Sequence, residues 1–176
     1  MIKVVQFLNQ VQAGFGSDEK MNITPEYQKG ACGPGMLLKN TMMRYGADIV
    51  GTIICGDNYF LENKEEAIKE ILQMIKEVNP DVVLCGPALN YKRYGECSGY
   101  LVEAVEKELN IPAFAAMAKD STGTELFRKK IYIIETPGRG GVGLNNSLRK
   151  ISSFAAKLGR KEVIGTAEEE GYFKRE

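Results

Sequence analysis

A chain of 176 residues with 44% hydrophobic and 26% charged positions is long enough to bury one core and too apolar to stay disordered. Its 23 Lys plus Arg balance 23 Asp plus Glu, which excludes the broad positive field that gathers nucleic acid or anionic membrane without sequence specificity. His is absent, so Ser-His-Asp, Cys-His and His-metal chemistry are excluded within this chain, and four cysteines without a Cys-x-x-Cys pair make no disulfide framework.

The start, Met1-Ile-Lys-Val-Val-Gln-Phe-Leu8, carries no basic leader, and no stretch approaches the roughly 20 apolar residues of a membrane span, so a cytoplasmic location is expected. Ile2 to Leu8 is an apolar, β-branched run of the kind that forms a buried strand, and it ends at Asn9-Gln10. Ala13 to Gly30 is polar, shows neither structural period and reads as a long loop; loops of that length are often functional. Gly33-Pro34-Gly35 then opens a helix that closes at Tyr45-Gly46.

Asp48 to Cys55 is the second strand, stopped by Gly56-Asp57-Asn58, a turn-forming trio. From Asn63 to Val78, apolar residues at 67, 68, 71, 72, 75 and 78 mark an amphipathic helix ended by Asn79-Pro80. Asp81 to Cys85 is a third strand, broken by Gly86-Pro87, and a helix is expected from about Cys97 to Leu109. Ile111 to Met117 and Lys130 to Glu135 supply a fourth and a fifth strand, and a last helix spans Leu144 to Leu158 after the glycine-rich Pro137 to Gly143.

Strands apolar on both faces and alternating with helices predict an α/β fold: a doubly wound, mostly parallel sheet of about five strands with helices on both faces, flavodoxin-like or Rossmann-like. Residues 1–160 make one domain on this reading, and 161–176 a polar tail or linker without a packing pattern. Ligands of such folds sit beyond the carboxyl ends of the strands, at a switch point in strand order. Four segments lie at that edge: Cys32 to Gly35, Cys55 to Phe60, Cys85 to Asn90 and Arg93 to Cys97. Each joins small residues that let a backbone approach a ligand (Gly33, Gly35, Gly56, Gly86) to polar or aromatic side chains, and together they predict one pocket. Taken singly, the same glycines and prolines are ordinary turn residues.

The strings Cys55-Gly-Asp-Asn-Tyr-Phe60 and Gly86-Pro-Ala-Leu-Asn-Tyr-Lys-Arg-Tyr-Gly95, the nearby Cys97-Ser-Gly-Tyr-Leu-Val-Glu-Ala-Val105, and the Gly-Pro-Gly at 33–35 carry a resemblance. They resemble the selenoprotein B subunit of the glycine, sarcosine and betaine reductase complexes, over its amino-terminal portion. The resemblance implies a role in component B, which cleaves the C–N bond of a small amino acid or betaine reductively. It also implies a pyruvoyl-bearing partner subunit of component B and the selenoprotein of component A as partners. The selenocysteine belongs to the later portion of the family's subunit, so no cofactor or metal is expected in this chain, and it is not expected to run the reduction alone. Two alternatives stay open: a stand-alone small-molecule-binding or regulatory module, and a complete enzyme with a cysteine nucleophile. Self-association is open too.

For a substrate of that kind, Arg93 suits the carboxylate, with backbone N–H groups near Gly33 and Gly56. Asp57, Asn58 and Asn90 suit the amino group, and Tyr59, Phe60, Tyr91 and Tyr94 could face a methylated amine. The bland alternatives are an ion pair for Arg93, a turn cap for Asp57, and core positions for the aromatics. Cys55 and Cys85 end strands and read as small apolar residues. Cys32 and Cys97 fall near expected helix starts, where a thiol's pKa drops, which makes them the catalytic or redox candidates. Gly138-Arg-Gly-Gly-Val-Gly143 could hold a phosphate, but a tight turn is the plainer reading.

Overall fold

The computed structural model covers residues 1–176. Its strands in chain order are β1 (Ile2–Asn9), β2 (Glu26–Lys29), β3 (Ala47–Cys55), β4 (Val82–Cys85), β5 (Ala113–Ala118) and β6 (Ile133–Thr136). Its helices are α1 (Gly35–Arg44), α2 (Asp57–Glu62), α3 (Lys64–Val78), α4 (Lys92–Ala104), α5 (Thr122–Phe127), α6 (Leu144–Gly159) and α7 (Ala167–Glu170). A single 3-10 turn at Asp18–Lys20 and a π turn at Val105–Leu109 complete the chain.

All strands join one sheet in the order β2-β3-β1-β4-β5-β6, parallel throughout except for β2, which runs antiparallel to β3 at the edge. Counting the parallel strands alone, the order is second, first, third, fourth, fifth, the flavodoxin-like winding. The order reverses between β1 and β4, so the switch point lies beyond Asn9 and Cys85. The sheet has six strands rather than five, because the expected long loop from Ala13 to Gly30 contains β2. That edge strand is short and mostly exposed, and the Tyr27 ring fills the space above Gly51 on its neighbour.

The two faces of the sheet carry separate cores. On one, α2 to α5 close over a cluster of 26 buried residues that includes Phe7, Ile53, Phe60, Ile71, Tyr94 and Leu101. On the other, α1 and α6 close over 15, with Leu38, Met42, Ile49, Phe114 and Phe154 among them. Such double burial is why the strands read as continuous apolar runs. The stripe on α3 is Ala67, Ile71, Leu72 and Ile75, and the helix stops where Asn79 turns left-handed at φ 53° ahead of Pro80. Helix α4 starts at Lys92, five residues before the expected Cys97, because Tyr91 is extended and the next residues wind at once.

The expected unpacked tail is corrected. Thr166 and Glu169 form a reciprocal capping box that starts α7, and Gly171 ends it at φ 93°. The Phe173 N–H then donates to the Ile133 carbonyl at 3.0 Å and the Glu135 N–H to the Gly171 carbonyl at 2.9 Å, so the tail covers the β6 edge. Phe173 is buried, and Lys157 pairs with the buried Glu170. No helix is long and apolar enough to cross a membrane.

Candidate functional site

Beyond the switch point, the ends of β1 and β3 bring two amides and a carboxylate together below the surface. Asn9 and Gln10 are fully buried and Asp57, the first residue of α2, is nearly so. The Asn9 side-chain amide donates to Asp57 Oδ2 at 2.9 Å, and the Gln10 amide donates to the same oxygen at 3.2 Å. Gln10 Oε1 accepts the Asp57 backbone N–H at 3.0 Å. Arg93, in the first turn of α4, donates from Nε to Asp57 Oδ1 at 2.7 Å and from Nη2 to Asp18 Oδ1 at 2.8 Å. The hydrogen bonds to Asp57 and then Asp18 raise the Arg93 pKa further above its already high ordinary value.

This network floors a cleft of about 420 Å³ lined by Val11, Ser17, Asp18, Asp57, Asn90, Tyr91, Lys92, Arg93, Asp120 and Arg139. Three carboxylates face three cations there, so the cleft is balanced in charge and strongly polar. The loop from β4 is held beneath it: Gln12 Nε2 donates to the Pro87 carbonyl at 2.9 Å, and Gln6 Nε2 to the Gly86 carbonyl at 2.8 Å, across a cis Gly86–Pro87 bond. Arg139, in the glycine-rich loop after β6, closes the far side; its backbone N–H and Nε both donate to Asn90 Oδ1, at 3.2 and 3.1 Å.

Asp57, Arg93 and Asn90 therefore meet in one place. Several other sequence candidates do not. Tyr94 is wholly buried, and its hydroxyl donates to the Phe7 carbonyl at 2.7 Å; it is core. Phe60 is core as well, and Tyr59 turns to Glu70, to which its hydroxyl donates at 2.9 Å. Of the four aromatics weighed for a methylated amine, only Tyr91 reaches the cleft, and the Arg139 guanidinium covers its ring at 4.4 Å. Asn58 is tied to Asn22 at 2.8 Å.

The four glycines allow close approach between segments of the chain. A Cβ on Gly33 would lie 2.3 Å from the Gln12 carbonyl oxygen, on Gly35 2.4 Å from Gln6 Oε1, on Gly56 2.4 Å from the Met21 carbonyl oxygen, and on Gly86 2.7 Å from that of Ala116. The backbone N–H groups of Gly56, Asn58 and Tyr59 are already taken by Ile23 and Met21. The expected anion-binding amides near Gly56 are thus occupied by the 20–23 loop.

Cys97 is corrected too. It lies in the second turn of α4, fully buried, with its Sγ 3.5 Å from the Asp57 carbonyl oxygen, and burial pushes its pKa well up, followed by the effect of nearby Cys55 and Asp57. Burial also pushes up the thiols of Cys55 and Cys85. Cys32 is half-buried at the approach to α1. No group of three or more Cys, Asp or Glu side chains is arranged to hold a metal ion. Asp18, Lys92, Asp120 and Arg139 on the lining, and the supporting Asn9 and Gln10, carry no site motif of their own in the sequence. Two amides closing an otherwise apolar strand at the predicted ligand edge were the available signal for the last two.

The whole chain, residues 1–176, matches the family described as glycine/sarcosine/betaine reductase selenoprotein B. It is 46% identical over 98% of its length to the glycine reductase complex component B subunit gamma of Carboxydothermus hydrogenoformans. It is 44% identical over 97% to the sarcosine reductase complex component B subunit beta of Peptoclostridium acidaminophilum, and 33% identical over 99% to the betaine reductase complex component B subunit beta of the same organism. The chain spans 39% of the length of each of these relatives. No solved structure matches it significantly. With a family match from the first residue to the last, the chain belongs to the glycine/sarcosine/betaine reductase selenoprotein B family.

Proposed function

We propose that this chain provides the small-substrate cleft of component B in a reductase complex acting on glycine, sarcosine or betaine, and that subunits or portions outside it complete the reductive C–N cleavage. The observation that carries the reading is the charge-balanced cleft at the switch point, floored by the ion pair of the buried Asp57 with the partly exposed Arg93. A zwitterion of one carboxylate and one ammonium has the polarity such a cleft accommodates. Cations on the lining suit the first group and carboxylates the second.

In this reading the chain binds and orients. Asp57 and Arg93 neutralise each other beneath the ligand, which keeps the floor rigid without adding net charge to the site. Asp120 and Lys92 stand on the lining without an ion-pair partner of their own and are available to a ligand. Groups outside this chain, a selenocysteine and a partner pyruvoyl group by family resemblance, would supply the chemistry of C–N cleavage.

Calorimetric titration of the purified chain with glycine, sarcosine and betaine tests the reading. Saturable binding of one of them, weakened by Asp120→Asn or Lys92→Gln, is expected. Heats of dilution alone for all three ligands with a cooperatively folded chain would contradict it.

A further inference from the structure

Two arginines line the cleft, and the structure gives them opposite circumstances. Arg93 is committed at two of its three nitrogens, Nε to Asp57 and Nη2 to Asp18. Asp57 is 4% exposed, so turning Arg93 towards a ligand would leave that buried carboxylate with amide donors only. Arg139 is held but unspent. Its Nε is fixed on Asn90 Oδ1 and its guanidinium plane lies against Tyr91, while its two terminal nitrogens make no hydrogen bond and it has no carboxylate partner.

We propose that Arg139 is the carboxylate receptor of this cleft, with Asn90 and Tyr91 as its positioning residues and Arg93 as a structural clamp on Asp57. This rests on the reading of the cleft as a substrate pocket. It moves the specificity-determining cation from the helix to the glycine-rich loop, and it names the ligand group as a carboxylate received by the outer edge of a guanidinium. A stacked, singly anchored guanidinium loses less freedom on binding than a long unrestrained cation such as Lys92. The loop permits the approach. Gly138 packs against Asn90, where a Cβ would stand 3.4 Å from Nδ2, and Gly140 and Gly143 hold left-handed conformations at φ 74° and 93°. Arg139 itself is exposed and lines the cleft.

The arrangement also bears on the ligand's other end. With Arg139 covering Tyr91, the aromatic face that a quaternary ammonium would seek is taken, and the unpaired Asp120 remains on the lining for the positive end of the ligand.

Solution NMR of the full chain, following the Nε–Hε signals of Arg139 and Arg93 during titration with sodium acetate and then with glycine, sarcosine and betaine, separates the roles. Acetate is expected to shift the Arg139 signal saturably and leave that of Arg93 in place. Arg139→Gln is expected to raise the dissociation constant at least about tenfold, and Asn90→Ala to raise it several-fold with an unchanged melting temperature. A shift confined to Arg93, or an Arg139→Gln variant that binds as the wild type does, would overturn the assignment. Acetate binding at Arg139 with none of the three amino acids bound more tightly than acetate would keep the receptor and sink the substrate-pocket reading. Amino-acid binding that depends on Arg93 and ignores Arg139 would do the reverse.

Discussion

Two concavities of the chain differ in kind, and the larger of them is the less equipped. A groove of about 580 Å³ runs between α3 and the π turn, lined by Lys64, Lys69, Lys76, Glu65, Glu108 and Gln73 over Ile68, Leu72, Ala104 and Leu109. Its charges stand on exposed helix faces. Lys64 rests over the Tyr100 ring at 3.9 Å, and none of the others is anchored by a buried partner. The cleft at the switch point is smaller, about 420 Å³, yet its Asp57 is held by buried amides at the end of β1, Arg93 by Asp57 and Asp18, and Arg139 by Asn90, segments that only the fold could bring together. Volume marks where a molecule could fit. Fixed polar groups mark where one would be recognised, because their ordering cost has been met by folding.

The strongest way to break this contrast is to remove the floor. Asp57→Ala strands the Asn9, Gln10 and Arg93 donors, and a loss of about 2–4 kcal/mol in urea denaturation is expected, held towards the lower end because Arg93 stays partly in water. A loss below about 0.5 kcal/mol would show that the network is decorative.

The thiols give the next effect. Unfolded thiols ionise near about pH 8.5, whereas burial holds Cys55, Cys85 and Cys97 protonated in the folded chain. Above that pH the folded state binds more protons than the unfolded state, so stability is full below about pH 8 and falls as pH rises. Chemical denaturation at stepped alkaline pH should show the decline. A disulfide-exchange reagent at pH 8 should modify Cys32 quickly and the other three only after unfolding; rapid modification of Cys97 would contradict its place in the core.

Conservative substitutions should have smaller effects. Arg93→Lys keeps the charge but loses the fork that spans Asp57 and Asp18, and about 1 kcal/mol of stability should go with it by thermal or urea melting. Lys69→Gln and Lys76→Gln in the α3 groove should change stability by less than about 0.5 kcal/mol and leave ligand binding untouched. Weakened amino-acid binding in those variants would move the site to the groove.

Most of the architecture was legible in the sequence because its signals are local. Strands apolar on both faces, the stripe on α3 and the Asn79-Pro80 stop each name their element without reference to the rest of the chain. β2 and α7 were not legible as packed elements: β2 is four largely exposed residues, and the tail's Phe173 gains its burial from the β6 edge, a partner 40 residues away at Ile133. For α7 a signal was present in Thr166 and Glu169 at capping-box spacing. The site divided in the same way. Asp57 and Arg93 stood out by residue type, but nothing local said that they bind each other, and nothing in Arg139's neighbourhood pointed to Asn90, 49 residues earlier. Cys97 misled because α4 begins upstream of where its apolar pattern starts, which carries the thiol from an expected helix end into the interior.

The place where a small amino acid binds decides between the two concavities. Backbone amide shift mapping of the chain with sarcosine, glycine and betaine reads that in one experiment. Perturbations confined to residues around Gln10 to Asp18, Asp57, Asn90 to Arg93, Asp120 and Arg139 are the predicted result. Perturbations along Lys64 to Lys76 and Ala104 to Leu109, with the switch point silent, would contradict it.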